Sequence, residues 1–260
     1  MQRIKVVLAH FNENLEWAKS VHEHCVVYDK GNSDLSEFKK FIEVIRLENI
    51  GREGATYLTF IIDHYPNFPD YTVFTQGNIS DHVKSVPDFK QDIIDIASGS
   101  VNPSEYTGLN KMRCSAGWST VTNFSDPSHN GLPLKEIYNI LYDEHTDNNG
   151  SWRCNLCGIF MVSRTGLLFH SKAFYETLYD WLMDNEPIAG YTLERLWTYI
   201  FDSKVKGKSC IESAPSSNRV CPKKEFVPEY YTPSAQYEPV TTKNTARYVY
   251  NGRYTRIVYD

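Results

Sequence analysis

The sequence predicts one α/β domain whose mostly parallel central sheet is flanked by helices. Three observations lead to this prediction. Short apolar runs alternate with segments of helical spacing in the order β-loop-α-β, polar residues follow each run, and hydrophobic residues make up 41% of the 260 residues. We therefore expect a domain over residues 1–212, followed over 213–260 by a Pro- and Tyr-rich arm that packs on the same domain.

The first strands and helices follow from the alternation of apolar runs with turn residues. Residues 4–10 form a compact apolar run, and a helix is predicted to begin near Asn14. Residues 25–28 form a second apolar run, and over residues 57–65 apolar side chains recur every three or four positions. Residues 71–75 predict a third strand.

The second half of the domain contains one long excursion and further regular elements. Residues 98–133 are rich in Ser, Gly, Asn and Pro, which is typical of a long loop that covers a ligand. Residues 137–142 predict a helix, and residues 157–162 a buried strand. Two amphipathic helices are expected to follow, one carrying Trp181 and the other Trp197.

The arm ends in the clearest local signal of the chain. Residues 247–250 and 253–259 flank the dipeptide Asn251-Gly252. Asn-Gly is strongly preferred in a type I′ turn, so these residues predict a β-hairpin.

The bulk properties exclude several classes of protein. The formal net charge is −5 and no long basic block occurs, which argues against a nucleic-acid-binding protein. No stretch reaches the ~20 apolar residues that cross a bilayer, and the N-terminal run lacks a signal-peptide cleavage site. We expect a cytoplasmic protein without a membrane span. Six cysteines are too few for a disulfide framework.

Candidate ligand-binding residues follow the predicted strands. They are His10, Asn12 and Glu13 at the end of the first strand, Asp29 and Lys30 after the second, and Gln76, Asn78, Asp81 and His82 after the third. In a parallel sheet, ligands bind beyond the carboxyl ends of the strands. The alternative is that these are ordinary polar loop residues, which every α/β protein has.

Arg52 is a candidate for binding an anion. It lies in the segment Gly51-Arg52-Glu53-Gly54, directly before a predicted helix whose N–H groups would face a phosphate. The alternative is a plain helix start, in which Glu53 complements the helix dipole. Lys223, Lys224, Arg247 and Arg253 are further basic candidates for the same role.

Asp81 and His82 are candidates for a divalent metal site that would hold Mn²⁺ or Mg²⁺. Such metals prefer carboxylate ligands, and amide side chains stand at the preceding strand end, in Gln76-Gly77-Asn78. An exposed loop pair is the alternative.

Glu194 is the candidate general base. It lies inside a helix whose neighbouring positions are apolar, so its carboxylate is expected beside the buried face and able to accept a proton. The following residue, Arg195, is expected to point to solvent. The alternative is that Glu194 takes part in a salt bridge.

An ordered set of motifs resembles a domain-of-unknown-function family of fungi, bacteria and large viruses. The resemblance covers roughly residues 4–202. Its motifs are Phe11-Asn12-Glu13-Asn14-Leu15-Glu16-Trp17, Tyr28-Asp29-Lys30-Gly31, Gly51-Arg52-Glu53-Gly54, Ile61-Ile62-Asp63-His64-Tyr65, Val73-Phe74-Thr75-Gln76-Gly77 and Leu193-Glu194-Arg195-Leu196-Trp197.

The same arrangement is similar to GT-A glycosyltransferases, which have a Rossmann-like sheet. The resemblance implies that Asn12, Glu13 and Asp29 hold a nucleotide sugar and that Glu194 serves as base. Gln76-Gly77-Asn78 stands where that family carries Asp-x-Asp, a departure that bears on metal dependence. Trp118, Trp152 and Tyr191 are candidates for stacking on sugar rings.

These expectations define a glycosyltransferase that moves a sugar from a nucleotide diphosphate to a glycan or another hydroxyl acceptor. Two other classes stay open. One is a catalytically silent carbohydrate-binding or assembly protein, and the other is a nucleotidyltransferase that needs a metal and a nucleoside triphosphate.

Overall fold

A computed structural model describes most of the predicted domain. It covers residues 2–111, 113–117, 132–135, 137–138, 151–155, 158–201, 247–250 and 255–258. For 113–117, 151–154 and the last two ranges it describes the backbone alone.

Helices and strands alternate along this part of the chain. The strands are β1 (Ile4–His10), β2 (Cys25–Asp29), β3 (Glu43–Arg46), β4 (Tyr71–Gln76), β5 (Tyr106–Gly108), β6 (Arg113–Gly117), β7 (Ser151–Asn155), β8 (Phe160–Ser163), β9 (Arg247–Tyr250) and β10 (Thr255–Val258). The α-helices are α1 (Arg52–His64), α2 (Val86–Ser98), α3 (Arg164–Leu168), α4 (Lys172–Asp184) and α5 (Ile188–Phe201). Two 3₁₀ segments span Glu16–His24 and Phe38–Lys40.

Six strands form a mostly parallel sheet in the order β5-β8-β4-β1-β2-β3, and β10 and β9 continue it beyond β3. β1 pairs in parallel with both β2 and β4, and β2 pairs in parallel with β3. β8 runs antiparallel to its neighbours β4 and β5. The predicted fold class, a mixed α/β domain with a mostly parallel sheet flanked by helices, is confirmed.

Both faces of this sheet are covered, as the apolar character of its strands requires. Alternate side chains of β1 point into two separate hydrophobic cores, one on each face of the sheet. Val7 belongs to a core with α1, α4 and α5, whereas Val6 and Leu8 belong to a core with α2 and the first 3₁₀ segment. The first core is rich in aromatic rings, among them Trp197 stacked on Phe201 at 5.7 Å.

Side-chain caps mark several helix starts. Ser163 Oγ accepts a hydrogen bond from the amide of Gly166 at the start of α3. Ser85 and Ser171 cap α2 and α4 in the same way. The segment after β1 differs, because it is a 3₁₀ segment rather than an α-helix. It starts without a side-chain cap and is divided by the non-helical Val21, so neither part has the length that favours an α-helix.

The C-terminal strands pair as the sequence predicted. β9 and β10 are antiparallel, and Ile257 of β10 pairs with Arg46 of β3. The Asn251-Gly252 turn lies outside the described residues.

Candidate functional site

The strand order reverses at the carboxyl ends of β1 and β4. The chain adds β2 and then β3 on one side of β1, and returns to the other side with β4. In open α/β sheets this reversal is the point at which ligands bind. The loops that follow β1, β2 and β4 therefore form the candidate site, together with the start of α1.

Asn12 ties the loop after β1 to the loop after β2. Its Oδ1 atom accepts hydrogen bonds from the amides of Asn32 (2.7 Å) and Ser33 (3.0 Å) and from Ser33 Oγ (3.0 Å). The loops approach so closely that a Cβ atom at Gly31 would lie 2.0 Å from the Phe11 carbonyl oxygen. Glycine is therefore required at this contact.

A buried charged triad lies beneath these loops. His10 Nδ1 is 2.9 Å from Asp29 Oδ1, His10 Nε2 is 3.0 Å from the carbonyl oxygen of Glu13, and Arg46 donates to Asp29 Oδ2. Burial opposes the charged form of His10 and is the largest single effect. The hydrogen bonds to Asp29 and to the Glu13 backbone, with the charges of these two residues, together outweigh it, so the pKa of His10 is raised. Burial alone would raise the pKa of Asp29, yet its hydrogen bonds to His10 and Gly31 and the charge of Arg46 lower it. Asp29 is thus a buried anion between two cations.

Glu13 closes the loop after β1 and contacts the end of β4. Its Oε2 atom accepts hydrogen bonds from the amides of Phe11 (2.6 Å) and Asn12 (3.2 Å). A Cβ atom at Gly77 would lie 2.7 Å from the same oxygen, and Trp17 Nε1 donates to the Gly77 carbonyl at 2.8 Å. The carboxyl ends of β1 and β4 are therefore held in direct contact.

Lys30 connects this loop cluster to the start of α1. Its ammonium group is buried and donates to the carbonyl oxygens of Ile50, at 2.7 Å, and Arg52. Burial lowers the pKa of Lys30 to about 8, although Glu53 and Glu186 oppose the shift. Because the two carbonyls flank Gly51, the lysine fixes the backbone bend at which α1 begins.

That bend has two consecutive residues with left-handed backbone angles, Gly51 (φ 71°) and Arg52 (φ 48°). A positive φ is uncommon for arginine, and such strain concentrates at ligand-binding sites. The Arg52 guanidinium lies over the Tyr191 ring, 4.5 Å from its centroid, and NH1 is 3.3 Å from the Tyr191 hydroxyl. The Arg52 side chain is 38% exposed, so a solvated anion can reach it.

Carboxylates from two elements gather around the start of α1. Glu53 is in the first turn of α1, and its Oε2 atom is 3.7 Å from Arg52 Nε. Burial raises the pKa of Glu53; the charge of Arg52 counteracts this and that of Glu194 adds to it. Burial also raises the pKa of Glu186, which lies just before α5. Glu194 accepts a hydrogen bond from Arg195 NH1 at 3.1 Å.

The expectation that Arg195 points to solvent is wrong. Its side chain is 3% exposed, and NH1 also donates to the Tyr191 carbonyl at 2.7 Å. The guanidinium group lies along α5 and contacts the preceding helical turn. The sequence shows only that Arg195 follows Glu194, and this does not predict where its side chain lies.

Asn78, Asp81 and His82 form a separate group beyond β4. Asn78 Oδ1 accepts from the amide and hydroxyl of Ser80, and Asn78 Nδ2 donates to Asp81 Oδ2 at 3.0 Å. Among the described residues, no three His, Cys, Asp or Glu side chains come together as a metal site would require. The assignment of Asp81 and His82 to a divalent-cation site stays a prediction from the sequence, and we derive no step through a metal.

The structure divides the predicted site residues into three groups. Asn12, Glu13, Asp29 and Gln76 lie at the ends of β1, β2 and β4. Arg52 lies at the start of α1, with Glu194 of α5 near it, and Asn78, Asp81 and His82 lie beyond β4. Tyr191 carries the Arg52 guanidinium on its ring. The side chains of Trp118, Trp152, Lys223, Lys224, Arg247 and Arg253 lie outside the described part of the chain.

His10 and Lys30 were expected among the polar residues at the ends of the first two strands, and the structure places both at this edge of the sheet. Glu53 is the residue of the site to which the sequence assigned no role in ligand binding. Glu53 had no signal of its own, since an acidic residue is ordinary in a first helical turn.

The fold and the site define the class of this protein: a mixed α/β protein with charged and polar residues gathered at the carboxyl edge of a mostly parallel sheet. The chain belongs to the family described as "Protein of unknown function (DUF3431)", whose model matches residues 6–226. Membership of a domain-of-unknown-function family, expected from the motifs, is thereby confirmed. Searches of curated proteins and of solved structures found no match. Within the described residues, no helix is both long and apolar enough to cross a membrane.

Proposed function

We propose that this protein is a glycosyltransferase of GT-A type, which moves a sugar from a nucleotide diphosphate to a hydroxyl of a glycan or related acceptor. One observation carries the proposal: an arginine is fixed at a helix start beside two carboxylates, at the ligand-binding edge of a parallel sheet. Sugar transfer from a diphosphate needs both functions, a cation for the leaving group and a base for the acceptor.

The diphosphate side of the reaction is assigned to Arg52 and the start of α1. Gly51 has no side chain to cap the helix, and the first intrahelical bond runs from the Ala55 amide to the Gly51 carbonyl. Amides of a first helical turn lack intrahelical acceptors and favour an anion, and Arg52 adds a charge that Tyr191 holds in place. This donor set would stabilise the leaving diphosphate without a metal.

The nucleoside side is assigned to the loops after β1 and β2. Asn12 accepts a hydrogen bond from the loop after β2, Glu13 accepts one from the Asn12 amide, and Asp29 is bonded to the buried His10. These hydrogen bonds fix the conformation of the two loops on which the nucleoside would lie. Gln76 pairs with Ala9 at the end of β4, next to the loop after β1. The sequence predicts that Glu194 takes the proton of the acceptor.

Thermal-shift measurements with UDP-, GDP- and CDP-sugars, each with and without Mn²⁺, test the proposal. A bound ligand raises the melting temperature by mass action, so even a weak donor is detected at millimolar concentration. We expect one nucleotide class to raise it, and Arg52→Gln to remove most of the shift.

Arg3→Gln is the matched control, because Arg3 pairs with Asp70 at the opposite edge of the sheet and should leave the shift unchanged. Absence of a shift with every donor would refute the glycosyltransferase and favour the carbohydrate-binding or assembly protein.

A further inference from the structure

We infer that Glu53, in the first turn of α1, accepts the proton of the acceptor hydroxyl, and that Glu194 serves as its charged neighbour. The inference rests on the proposed sugar transfer and names the residue that performs its proton step. Glu53 belongs to the same turn as Arg52, so proton acceptance and leaving-group stabilisation would take place on adjacent residues.

The surroundings of Glu53 are those of a proton acceptor held out of water. Its side chain is only 10% exposed, and its contact with Arg52 Nε, at 3.7 Å, is longer than a hydrogen bond. The cations facing it are Arg52 on α1 and Lys30 after β2, and the carboxylates are Glu194 on α5 and Glu186 just before it.

These surroundings favour the protonated form of Glu53. Burial raises the pKa of the carboxyl group, the charge of Arg52 lowers it, and that of Glu194 raises it, with a net rise. A base whose pKa lies closer to the working pH accepts a proton more effectively. A diphosphate bound to Arg52 would neutralise the cation that opposes this rise, which would strengthen the base when the donor is present.

Gly158 leaves space beside this carboxylate. A Cβ atom at Gly158 would lie 3.5 Å from Glu53 Oε1, and the glycine has a φ of +54°, which L-residues rarely adopt. Its carbonyl oxygen accepts a hydrogen bond from the Tyr57 hydroxyl at 2.9 Å. The chain entering β8 is therefore fixed close to Glu53 without a side chain that would cover it.

Glu194 differs because a cation already engages its carboxylate. Arg195 is 3% exposed and donates to Glu194 Oε2 at 3.1 Å. The negative charge of Glu194 in turn raises the pKa of Glu53.

The step balances without any further reactant. The acceptor oxygen forms a bond to the anomeric carbon of the sugar while its proton moves to a carboxylate oxygen of Glu53. The bond from the anomeric carbon to the diphosphate oxygen breaks, and its electron pair leaves with the nucleoside diphosphate near Arg52. Glu53 then returns the proton to solvent.

Steady-state kinetics on Glu53→Gln and Glu194→Gln test the assignment with the donor identified by thermal shift. For Glu53→Gln we expect kcat to fall about 100-fold or more while the donor-induced thermal shift is kept. Glu194→Gln should lower kcat less and move the acidic limb of the kcat–pH profile to lower pH, since it removes a charge that raises the pKa of Glu53. Glu37→Gln, at an exposed glutamate paired with Lys40, is the control and should match the wild type.

Full turnover in Glu53→Gln, or a larger loss in Glu194→Gln, would overturn the inference. A ¹³C NMR titration of the glutamate side chains of the wild type separates this result from failure of the proposed function. If no donor binds but Glu53 titrates above Glu37, the sugar-transfer proposal fails while the proton-accepting character of Glu53 stands. If Glu53 titrates at or below Glu37, the inference fails whichever donor binds.

Discussion

Replacing Gly31 with alanine is the most direct test of how the loops of the candidate site are built. The added Cβ atom would lie 2.0 Å from the Phe11 carbonyl oxygen and 2.4 Å from Asn12 Oδ1. The carbonyl has little room to move, because the Phe11 amide is bound to Glu13 and the His10 carbonyl accepts from the Lys30 amide at 2.9 Å. The loops must therefore separate.

The size of the effect follows from these contacts. Overpacking of this kind costs about 1–3 kcal/mol, and each hydrogen bond of Asn12 that is lost adds about 1 kcal/mol. We expect the free energy of unfolding to fall by about 3 kcal/mol. For a domain of this size, that corresponds to a melting temperature lower by roughly 6–12 °C.

Urea denaturation of the wild type, Gly31→Ala and Gly99→Ala measures the effect against a matched control. Gly99 ends α2 with a φ of +83° and has no atom within 4 Å of an added Cβ, so alanine there introduces backbone strain alone, about 1 kcal/mol. If Gly31→Ala destabilises the protein no more than Gly99→Ala does, the close approach of the two loops is not as described.

Three further predictions concern buried groups. Asp29→Asn leaves His10 and Arg46 without their anion and should lower the free energy of unfolding by about 3–5 kcal/mol near neutral pH. Because the pKa of Asp29 is lowered in the folded state, the free energies of unfolding of wild type and variant should converge as the pH falls through that pKa. Urea titrations repeated at several pH values measure both effects. Lys30 has a folded-state pKa of about 8, below its ordinary 10.5, so an unfolded chain binds a proton that the folded one has released. Its contribution to stability should rise by about 2 kcal/mol between about pH 8 and pH 10, and this rise should be absent from Lys30→Gln in the same titrations. Trp197→Ala removes a ring that is 1% exposed and contacts Tyr57 and Phe160. Calorimetry should show a free energy of unfolding lower by about 3–5 kcal/mol. A decrease below about 1 kcal/mol would contradict the packing described.

The fold was predictable where a local pattern decides the structure. Residues 4–10 and 71–75 are apolar because both faces of their strands are buried, and 57–65 repeats with helical period because α1 lies on one face of the sheet. The antiparallel strand β8, inserted between β4 and β5, was not predictable in its position. That pairing depends on side-chain packing across residues distant in sequence, and no local pattern carries it.

In the candidate site, too, contacts set by neighbouring strands were predictable from the sequence, whereas contacts between loops were not. Asn12 and Asp29 lie together because carboxyl ends of adjacent parallel strands must meet at one edge, and this the sequence implies. The sequence does not tell that Asn12 reaches Ser33, or that Asp29 is enclosed by His10 and Arg46. Those bonds depend on loop conformations in which each polar group finds a partner only after the strands have paired.

Glu53 and Glu194 show why a base is difficult to assign from sequence. Position within an amphipathic helix suggests that Glu194 is partly buried, and its side chain is indeed only 13% exposed. The two carboxylates differ in their contact with a cation. Arg195 donates a hydrogen bond to Glu194 at 3.1 Å, whereas Arg52 lies 3.7 Å from Glu53, which is longer than a hydrogen bond. Glu53 looks like a residue that complements a helix dipole, yet its side chain is only 10% exposed. Gly158 approaches it from the chain entering β8, and the charge of Glu194 on α5 raises its pKa against the effect of Arg52. The difference between the two glutamates lies in their neighbours in space, so the pH dependence of the two variants decides which one carries the proton.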